Sequence, residues 1–483
     1  MSSLKHKTIH GVVWSSLERF SVQGIQFIIQ IVMARILLPE DYGVVAMLAI
    51  FLAVFQTFID SGFSSALVQK QDRSEVDYAT VFYFNIGISI VLFLALFFSA
   101  PLIAEFYKTP ILVRVTQIVS FNLLIIAFSV VPRAKLTVLI DFKTQAKASL
   151  TAVVISGAVG IWMAYAGFGI WSLVLQGLLY NGINSLLLWI LSKWWPIWTF
   201  SIASFKQLFS FGSKLLLSGL LDTVFRNLYT LVIGKKFTAQ DLGYYSRADQ
   251  FAQFPSANFT GIIGRVAFPV MCEVQQDDEQ FQNVFYKFLR ISTFLIFPLM
   301  IGLAALAEPF IRLVLTEKWL GAVVLLQILC FVYMWYPVHG LNLTLLQARG
   351  RSDIFLKLEI IKKVVGIIVL ITTIPFGIKI MCAGSIVVSV LCLPINAHYT
   401  KKYLNIGLLQ QMKYIFPSLL LSGSMGMIIF FLTRLKLPDA YTLILGISVG
   451  CLYYIGFATI FKFKEWQDLR GIFLSYAHRK NEY

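Results

Sequence analysis

The sequence predicts an all-α integral membrane protein of about fourteen transmembrane helices, forming two parallel-repeat six-helix lobes plus two C-terminal helices. Of 483 residues, 58% are hydrophobic and 13% are charged, whereas a soluble domain usually carries about 25% charge. Apolar runs of about twenty residues, each able to cross roughly 30 Å of hydrocarbon, recur from end to end. The runs are continuous rather than alternating, which favours helices as the spanning elements.

The predicted spans follow one another with short connections. None exceeds about twenty residues, so there is no extramembrane domain in which an enzyme would hold a polar substrate. The first span is expected to be retained, because Glu18 and Arg19 interrupt it and no signal-peptide cleavage site is evident. The spans are approximately 9–36, 42–67, 77–100, 111–131, 148–166, 169–192, 207–234, 242–270, 284–306, 321–346, 354–374, 377–399, 412–433 and 440–461.

Basic residues are distributed unevenly between the two sides of the predicted membrane. With the N-terminus inside, the cytoplasmic loops and tails carry 21 Lys and Arg residues, and the opposite loops carry 10. This is the direction of the positive-inside rule, so both termini are expected in the cytoplasm. The net charge of +16 is then explained by topology, without a nucleic-acid partner.

The sequence lacks the motifs of several enzyme and cofactor classes. It contains no P-loop, HExxH or GxSxG pattern, and its five cysteines form no CxxC pair. We therefore expect a protein that is not an enzyme and holds no metal or cofactor. The cysteines are expected to be buried as small hydrophobic residues.

Two segments of the chain resemble each other at an offset of 200 residues. Leu37-Leu-Pro-Glu-Asp-Tyr-Gly43 matches Phe237-Thr-Ala-Gln-Asp-Leu-Gly243. Asp and Gly suit the start of a helix, so both segments are expected to be turns before a second helix. Further matches, whose offset drifts to 210, pair Pro101 with Pro309 and Gln117 with Gln327.

The repeat predicts how the helices are grouped. Both Asp–Gly turns fall on the outer side and are six helices apart, so the two repeats are parallel. Two such bundles facing one another are a transporter architecture, with the substrate path between them. The predicted lobes are 1–200 and 201–405, and 406–483 holds helices 13 and 14 and a cytoplasmic tail.

Polar residues recur on one face of four predicted helices that the repeat makes equivalent in pairs. A charge at mid-membrane costs roughly 2.5–3.5 kcal/mol, so each one needs a reason. Spacings of three and four residues keep side chains on one helix face, and we expect these polar stripes to line a hydrated substrate cavity. The predicted cavity residues are Arg19, Gln23, Gln26 and Gln30 in helix 1, Asp60 in helix 2, Lys214, Asp222 and Arg226 in helix 7, and Asp249, Gln253 and Arg265 in helix 8.

Each stripe also has a structural interpretation. The helix 1 stripe would alternatively be a seam bonded to a neighbouring helix. Asp222 and Arg226 are four residues apart and can form an ion pair that largely neutralises both. Lys214 lies near the cytoplasmic end and can extend to the interface. Pro255 is expected to break helix 8 and to free backbone carbonyls into the cavity.

Helix 11 carries the candidates for ion coupling, Glu359 and Lys363. The acid precedes the base by four residues, the favourable orientation for an ion pair. A titrating carboxylate, Glu359 or Asp222, could couple transport to a proton or sodium gradient, and the membrane potential is another driving force. The alternative for helix 11 is a solvated cytoplasmic end. His339 in helix 10 could titrate, but a lone histidine is more often a packing residue.

Several segments resemble a known transporter family over essentially the whole chain. Together they are similar to the polysaccharide-repeat-unit flippases of the Wzx type, closest to the colanic-acid exporters, within the multidrug/oligosaccharidyl-lipid/polysaccharide exporter superfamily. The segments are Trp14-Ser-Ser, Ala34-Arg-Ile-Leu-Leu-Pro-Glu-Asp-Tyr-Gly43, Phe58-Ile-Asp-Ser-Gly-Phe-Ser-Ser-Ala-Leu-Val-Gln69, Gly264-Arg-Val-Ala-Phe-Pro269, Gln275-Gln-Asp-Asp278, Glu317-Lys-Trp319 and Gln347-Ala-Arg-Gly-Arg-Ser-Asp353.

The resemblance implies a function as well as a fold. It implies that an undecaprenyl-diphosphate-linked oligosaccharide is flipped from the cytoplasmic to the periplasmic leaflet of a bacterial inner membrane, for surface polysaccharide such as lipopolysaccharide. Membrane lipids, a polysaccharide polymerase and glycosyltransferases are the candidate partners. The alternatives are a multidrug or peptidoglycan-precursor exporter of the same superfamily, a membrane polysaccharide polymerase or ligase, and a lipid-binding scaffold.

Overall fold

The computed structural model describes residues 2–60, 62–435 and 437–471. Throughout these ranges the regular elements are α-helices and short 3₁₀ turns, without a strand, which confirms the all-α prediction. The chain divides into two compact units, Met1–Gly243 and Tyr244–Tyr483. This division differs from the predicted lobe boundary at residue 200, and the repeat-based lobes stay a prediction.

The first unit is a bundle of long helices. Helix α6 packs between α1 and α7, α4 packs on α5, and α2 packs along α8 and α9. The helices are α1 Ser2–Ile36, α2 Pro39–Asp60, α3 Phe63–Gln69, α4 Glu75–Tyr107, α5 Leu112–Val138, α6 Phe142–Tyr165, α7 Ile170–Ser192, α8 Ile202–Arg226 and α9 Leu228–Lys236. Helix α10, Ala239–Glu273, begins here and continues into the second unit.

The second unit contains the remaining helices. Helix α11 packs on α13, α14 and α17, α16 packs on α13 and α15, and α18 packs on α17 and α12. The helices are α11 Asp278–Ala305, α12 Ala307–Val314, α13 Ala322–Tyr333, α14 Tyr336–Ala348, α15 Ser352–Thr373, α16 Ile378–Leu404, α17 Leu408–Thr433 and α18 Asp439–Ile460, with a short helix α19 over 464–471.

Many of these helices are long and apolar enough to cross a membrane, so the chain is a multi-pass membrane protein. Within the described residues they number ten, or eleven if the two halves of α8, bent by 48°, count as one span. All fourteen predicted spans fall on helices, but α1, α10 and α15 are not among these eleven. The exact count of fourteen therefore stays a prediction.

The two copies of the repeated turn have the same local structure. Asp41 Oδ2 accepts a hydrogen bond from the Leu38 amide at 3.0 Å, and Asp241 Oδ2 accepts one from the Thr238 amide at 3.2 Å. In each copy an aspartate in the first helical turn thus binds one of the amide groups that a helix start leaves without a backbone partner. The resemblance at an offset of 200 residues therefore extends to the hydrogen bonds of the turn.

The eighth predicted span, 242–270, corresponds to α10, and the predicted break at Pro255 is wrong. Helix α10 continues through Pro255 to Glu273. A proline removes one backbone hydrogen bond, but the turns on either side keep theirs. In the next turn, Asn258 Nδ2 also donates to the Phe254 carbonyl at 2.9 Å. Predicted spans are interrupted instead between α2 and α3, where Gly62 has a φ of 68°, between α8 and α9, and between α13 and α14.

Candidate functional site

The polar stripe of α1 lies beside the face that packs on α6. Ile29 and Met33 are buried and approach Gly157 and Gly160 of α6, where the absence of a side chain makes room for them. On the same side, Ser149 Oγ donates to Glu18 at 2.9 Å. The helix–helix packing of α1 therefore uses a different set of residues from the glutamine stripe.

The glutamines of α1 are half-buried. Gln23 Oε1 is buried and has no hydrogen-bond partner among the described residues. A seam bonded to a neighbouring helix would satisfy this oxygen, so Gln23 does not fit the seam interpretation, and the cavity stays a prediction. Gln26 and Gln30 lie on the same face. The side chain of Arg19 lies outside the described part of the chain, so its role stays a prediction.

Helices α2 and α8 run antiparallel in close contact. Thr57 Oγ1 lies 3.1 Å from Thr223 Oγ1, and a Cβ built on Gly219 would lie 3.2 Å from Thr57 Cγ2. Nearer the break after α2, Gly62 and Gly212 meet through their backbones. These small residues bring the polar stripes of α2 and α8, the second and seventh predicted spans, side by side within the first unit. The repeat alone does not predict this contact.

The charged residues of these two stripes are exposed. Arg226 Nε lies 2.8 Å from Asp222 Oδ2, so the predicted pair forms, while 73% of the Arg226 side chain and 47% of the Asp222 side chain remain accessible. Lys214 and Asp60 are exposed as well. Asp60 and Arg226 are the last residues of α2 and α8. Charges this accessible would be costly against lipid, so they indicate contact with water.

Some polar residues of α10 contact α13, and others are exposed. Asp249 accepts a hydrogen bond from the Tyr333 hydroxyl at 2.8 Å, and Ser256 donates to the Tyr333 carbonyl at 2.6 Å. These two residues therefore join α10 to α13. Gln253 and Arg265 are exposed, and the Arg265 Nε donates to the Gly261 carbonyl one turn earlier. Only the latter two remain accessible in the way that a cavity residue requires.

Glu359, an ion-coupling candidate in the eleventh predicted span (α15), has an ion-pair partner that the sequence analysis did not name. Glu359 forms an ion pair with Lys362, one residue before Lys363. Both i+3 and i+4 positions lie within reach on a helix, so spacing alone does not choose between them. His339 has both ring nitrogens hydrogen-bonded, to Ser389 Oγ at 3.2 Å and to Asn396 Nδ2 at 3.1 Å. This agrees with the interpretation of His339 as a packing residue.

A buried ion pair at the start of α4 was not predicted. Lys70 Nζ lies 3.0 and 2.9 Å from the two carboxylate oxygens of Asp77, whose side chain is 1% exposed. Asp77 also caps α4 through Ser74, and Gln207 of α8 accepts from Lys70. The capping-box pattern Ser74-x-x-Asp77 is the sequence signal from which the buried acid can be recognised.

The resemblance motifs of the second unit are tied together by charge. Arg349 forms an ion pair with Asp278, so the motifs Gln275–Asp278 and Gln347–Asp353 meet. The Arg349 guanidinium also lies 4.4 Å from the Phe281 ring centroid. Arg351 donates twice to Asp353 and lowers the pKa of that carboxyl to about 2. These residues therefore act in local structure rather than as free cations.

The cysteines and acids do not assemble a metal site in the described ranges. Cys330, Cys382 and Cys392 are buried, as predicted, whereas Cys272 is half-buried and Cys451 is exposed. All five are free thiols.

Solved structures of membrane transporters share this fold. The inward closed conformation of the lipid II flippase MurJ matches with a TM-score of 0.75 at 17% identity, covering 95% of this chain and 99% of that one. The inward-facing conformation of a multidrug resistance MATE family transporter of the MOP superfamily matches with a TM-score of 0.62 at 14% identity, covering 82% and 98%. At these identities the likeness establishes the fold alone.

Sequence relatives narrow the family. The chain is 28% identical over 359 residues to the teichuronic acid biosynthesis protein TuaB of Bacillus subtilis (strain 168), covering 73% of this chain and 74% of that protein. It is 28% identical over 366 residues to the lipopolysaccharide biosynthesis protein WzxC of Escherichia coli (strain K12), covering 74% of each. The family model described as "Polysaccharide biosynthesis protein" matches residues 32–324, more than half of the chain. This confirms the family resemblance, and the chain belongs to the polysaccharide biosynthesis protein family of membrane transporters.

Proposed function

We propose that this protein flips an undecaprenyl-diphosphate-linked oligosaccharide from the cytoplasmic to the periplasmic leaflet of a bacterial inner membrane, for surface polysaccharide biosynthesis. Its relatives are named for teichuronic acid and lipopolysaccharide biosynthesis, and a further one is the succinoglycan biosynthesis transport protein ExoT of Rhizobium meliloti (strain 1021), at 27% identity. The fold shared with a lipid II flippase supports the same class of substrate.

The exposed ion pair of α8 carries the proposal structurally. Asp222 and Arg226 lie in the last two turns of α8 and remain accessible. An ion pair this accessible would be costly against lipid, and contact with water at this end of α8 is what a transporter of a polar head group needs. The alternative, a scaffold that only binds lipid, would not need accessible charge there.

Arg226 is suited to a diphosphate. A guanidinium has five N–H donors, and the contact with Asp222 engages the one on Nε. The others can donate charge-assisted hydrogen bonds to phosphate oxygens. Arg19 and Arg265 would add donors on α1 and α10, while the isoprenoid tail stays in lipid. Transport then follows by alternating access, as the two repeats rock against one another.

The topology and energy source belong to the same proposal. Both termini are cytoplasmic, by the distribution of basic residues. Proton coupling through Glu359 and its neighbour Lys363, or through Asp222, is one way to drive the cycle, and the membrane potential is another. Glycosyltransferases would supply the substrate, and a polysaccharide polymerase would consume it.

A peptidoglycan-precursor or multidrug exporter is the second candidate, because MurJ and a MATE transporter share the fold. Deleting the gene separates the candidates. The proposed function predicts accumulation of a lipid-linked oligosaccharide and loss of surface polysaccharide, with normal growth of the cell wall. Accumulation of a peptidoglycan precursor would favour the second candidate instead.

Replacing Arg226 tests the site. Arg226→Ala should lower export about 10- to 100-fold, the equivalent of one or two charge-assisted hydrogen bonds, and Arg226→Lys should restore part of it. The measurement is surface polysaccharide in a deletion strain that carries each variant at equal membrane abundance. Asp222→Ala/Arg226→Ala shows whether an unpaired acid causes the loss, and Lys147→Ala, an exposed lysine on α6, is the control. Full export by Arg226→Ala would remove Arg226 from the site.

A further inference from the structure

The two copies of the repeated turn lie against each other through their glycines. A Cβ built on Gly43 would lie 1.7 Å from the carbonyl oxygen of Ala239, and one built on Gly243 would lie 1.9 Å from that of Pro39. The obstructing atoms are backbone, which cannot rotate away as a side chain can. Only glycine therefore permits this approach, and it is required on both sides.

The contact is reciprocal. Gly43 corresponds to Gly243 and Pro39 to Ala239 at the offset of 200 residues, so exchanging the two copies maps the contact onto itself. A chance approach of two helices would not pair equivalent residues in this way. The arrangement is that of an isologous interface, in which one surface patch meets its own copy.

Next to this contact, α9 packs against α2 and the end of α4. Gly234 of α9 leaves room for Tyr107 and Met47, and Lys235 Nζ donates to the Phe106 carbonyl. The α9–α10 turn, where the second copy of the motif begins, therefore sits directly on α2 and the end of α4. By the distribution of basic residues, this end faces away from the cytoplasm.

We propose that residues 37–43 and 237–243 form an outer latch, which is closed in this structure and must part once in each transport cycle. The inference rests on the proposed function, because a flippase has to open its path on the receiving side. Contacts between glycines and carbonyls suit such a latch, since they are close and specific and each of them is weak.

Cross-linking the latch tests whether it must part. Pro39→Cys/Ala239→Cys, in a background that lacks the five native cysteines, is treated from outside with a short bifunctional thiol reagent that a reductant can cleave. We expect cross-linking to abolish transport and reduction to restore it. Each single cysteine variant under the same treatment controls for the reagent and for loss of Pro39. Normal transport by the cross-linked protein would overturn the proposal.

Adding a Cβ tests the latch from the other direction. Gly43→Ala should disfavour the closed form by about 5- to 150-fold, because the added carbon meets backbone. The readout is the rate at which a membrane-impermeant maleimide, added outside, labels a cysteine at position 26, and this rate should rise. Gly87→Ala is the matched control, since nothing lies within 4 Å of a Cβ at this position of α4.

The two readouts separate this inference from the proposed function. Labelling does not depend on the substrate, so a faster rate in Gly43→Ala supports the latch even if the transported molecule proves different. An unchanged labelling rate in a folded Gly43→Ala protein contradicts the latch even if polysaccharide export is confirmed.

Discussion

Asp77 shows what single residues contribute at the end of a span. Its carboxylate is 1% exposed and accepts from Lys70 Nζ on both oxygens, and Ser74 also donates to Oδ2. Removing the lysine would leave a buried charge without its counter-ion. The cost of such an uncompensated charge exceeds the net benefit of the pair itself. The residue is thus structural, although α8, whose Gln207 accepts from Lys70, also carries candidate residues of the substrate path.

Lys70→Met should therefore destabilise the protein by about 3 kcal/mol, measured as the free energy of unfolding in detergent. Lys147→Met, an exposed lysine on α6, should change it by less than about 0.5 kcal/mol. The double variant Lys70→Met/Asp77→Asn should recover at least half of the loss, because an amide can be buried with less cost than a carboxylate. A loss of the same size in both single variants would contradict this account.

Residue-level prediction from sequence succeeded where helical spacing alone decides. The Asp222–Arg226 pair formed because only one partner lies within reach of the acid. It did not name Lys362 as a partner of Glu359, since Lys362 and Lys363 both lie within reach of the acid on a helix. Asp249 was assigned to a cavity, but its hydrogen bond to Tyr333 depends on α13, which spacing within α10 does not reveal.

Glycines determine how closely the helices of each unit pack. Gly426 of α17 faces Ile301 of α11, where a Cβ would lie 2.4 Å from the isoleucine Cγ2. Gly446 and Gly450 of α18 admit Leu306 and Ile429 in the same way. Without water to drive association, such close packing is a main source of stability between membrane helices.

Gly426→Val should destabilise the α11–α17 contact by about 1–3 kcal/mol through overpacking. Gly423→Val lies three residues earlier on α17, where a Cβ meets nothing within 4 Å, and shares the same change in helix propensity. Thermal unfolding in detergent should therefore separate the two variants, with Gly426→Val melting earlier. Equal melting temperatures would show that α17 packs differently from this structure.

Elements were predictable to the extent that hydropathy and periodicity define them. Every predicted span falls on a helix, because a lipid-crossing segment must satisfy its own backbone. Breaks were less predictable. Pro255 suggested one in α10, which is continuous, whereas α8 bends by 48° without a proline. A bend depends on what packs against the helix, as Gly212 does on Gly62, and this information is not local in sequence.

At the scale of the whole molecule, the internal repeat was the most informative feature of the sequence. It paired Gly43 with Gly243, and the structure places each of them against the other copy of the turn, Gly43 on Ala239 and Gly243 on Pro39. It also made helices 1, 2, 7 and 8 equivalent in pairs, and polar residues on α2, α8 and α10 are exposed. The substrate could not be predicted from residues alone, because no short motif recognises an oligosaccharide; the family match directs attention to that class.

Transport by the purified protein tests the central claim most directly. The protein is reconstituted into vesicles with a fluorescent undecaprenyl-diphosphate-linked oligosaccharide, and a membrane-impermeant quencher reports which leaflet holds the sugar. We predict that the wild-type protein moves the lipid between leaflets faster than protein-free vesicles do, and that Arg226→Ala slows it. Movement at the rate of protein-free vesicles, by folded protein under an imposed membrane potential and a proton or sodium gradient, would contradict the assignment as a flippase.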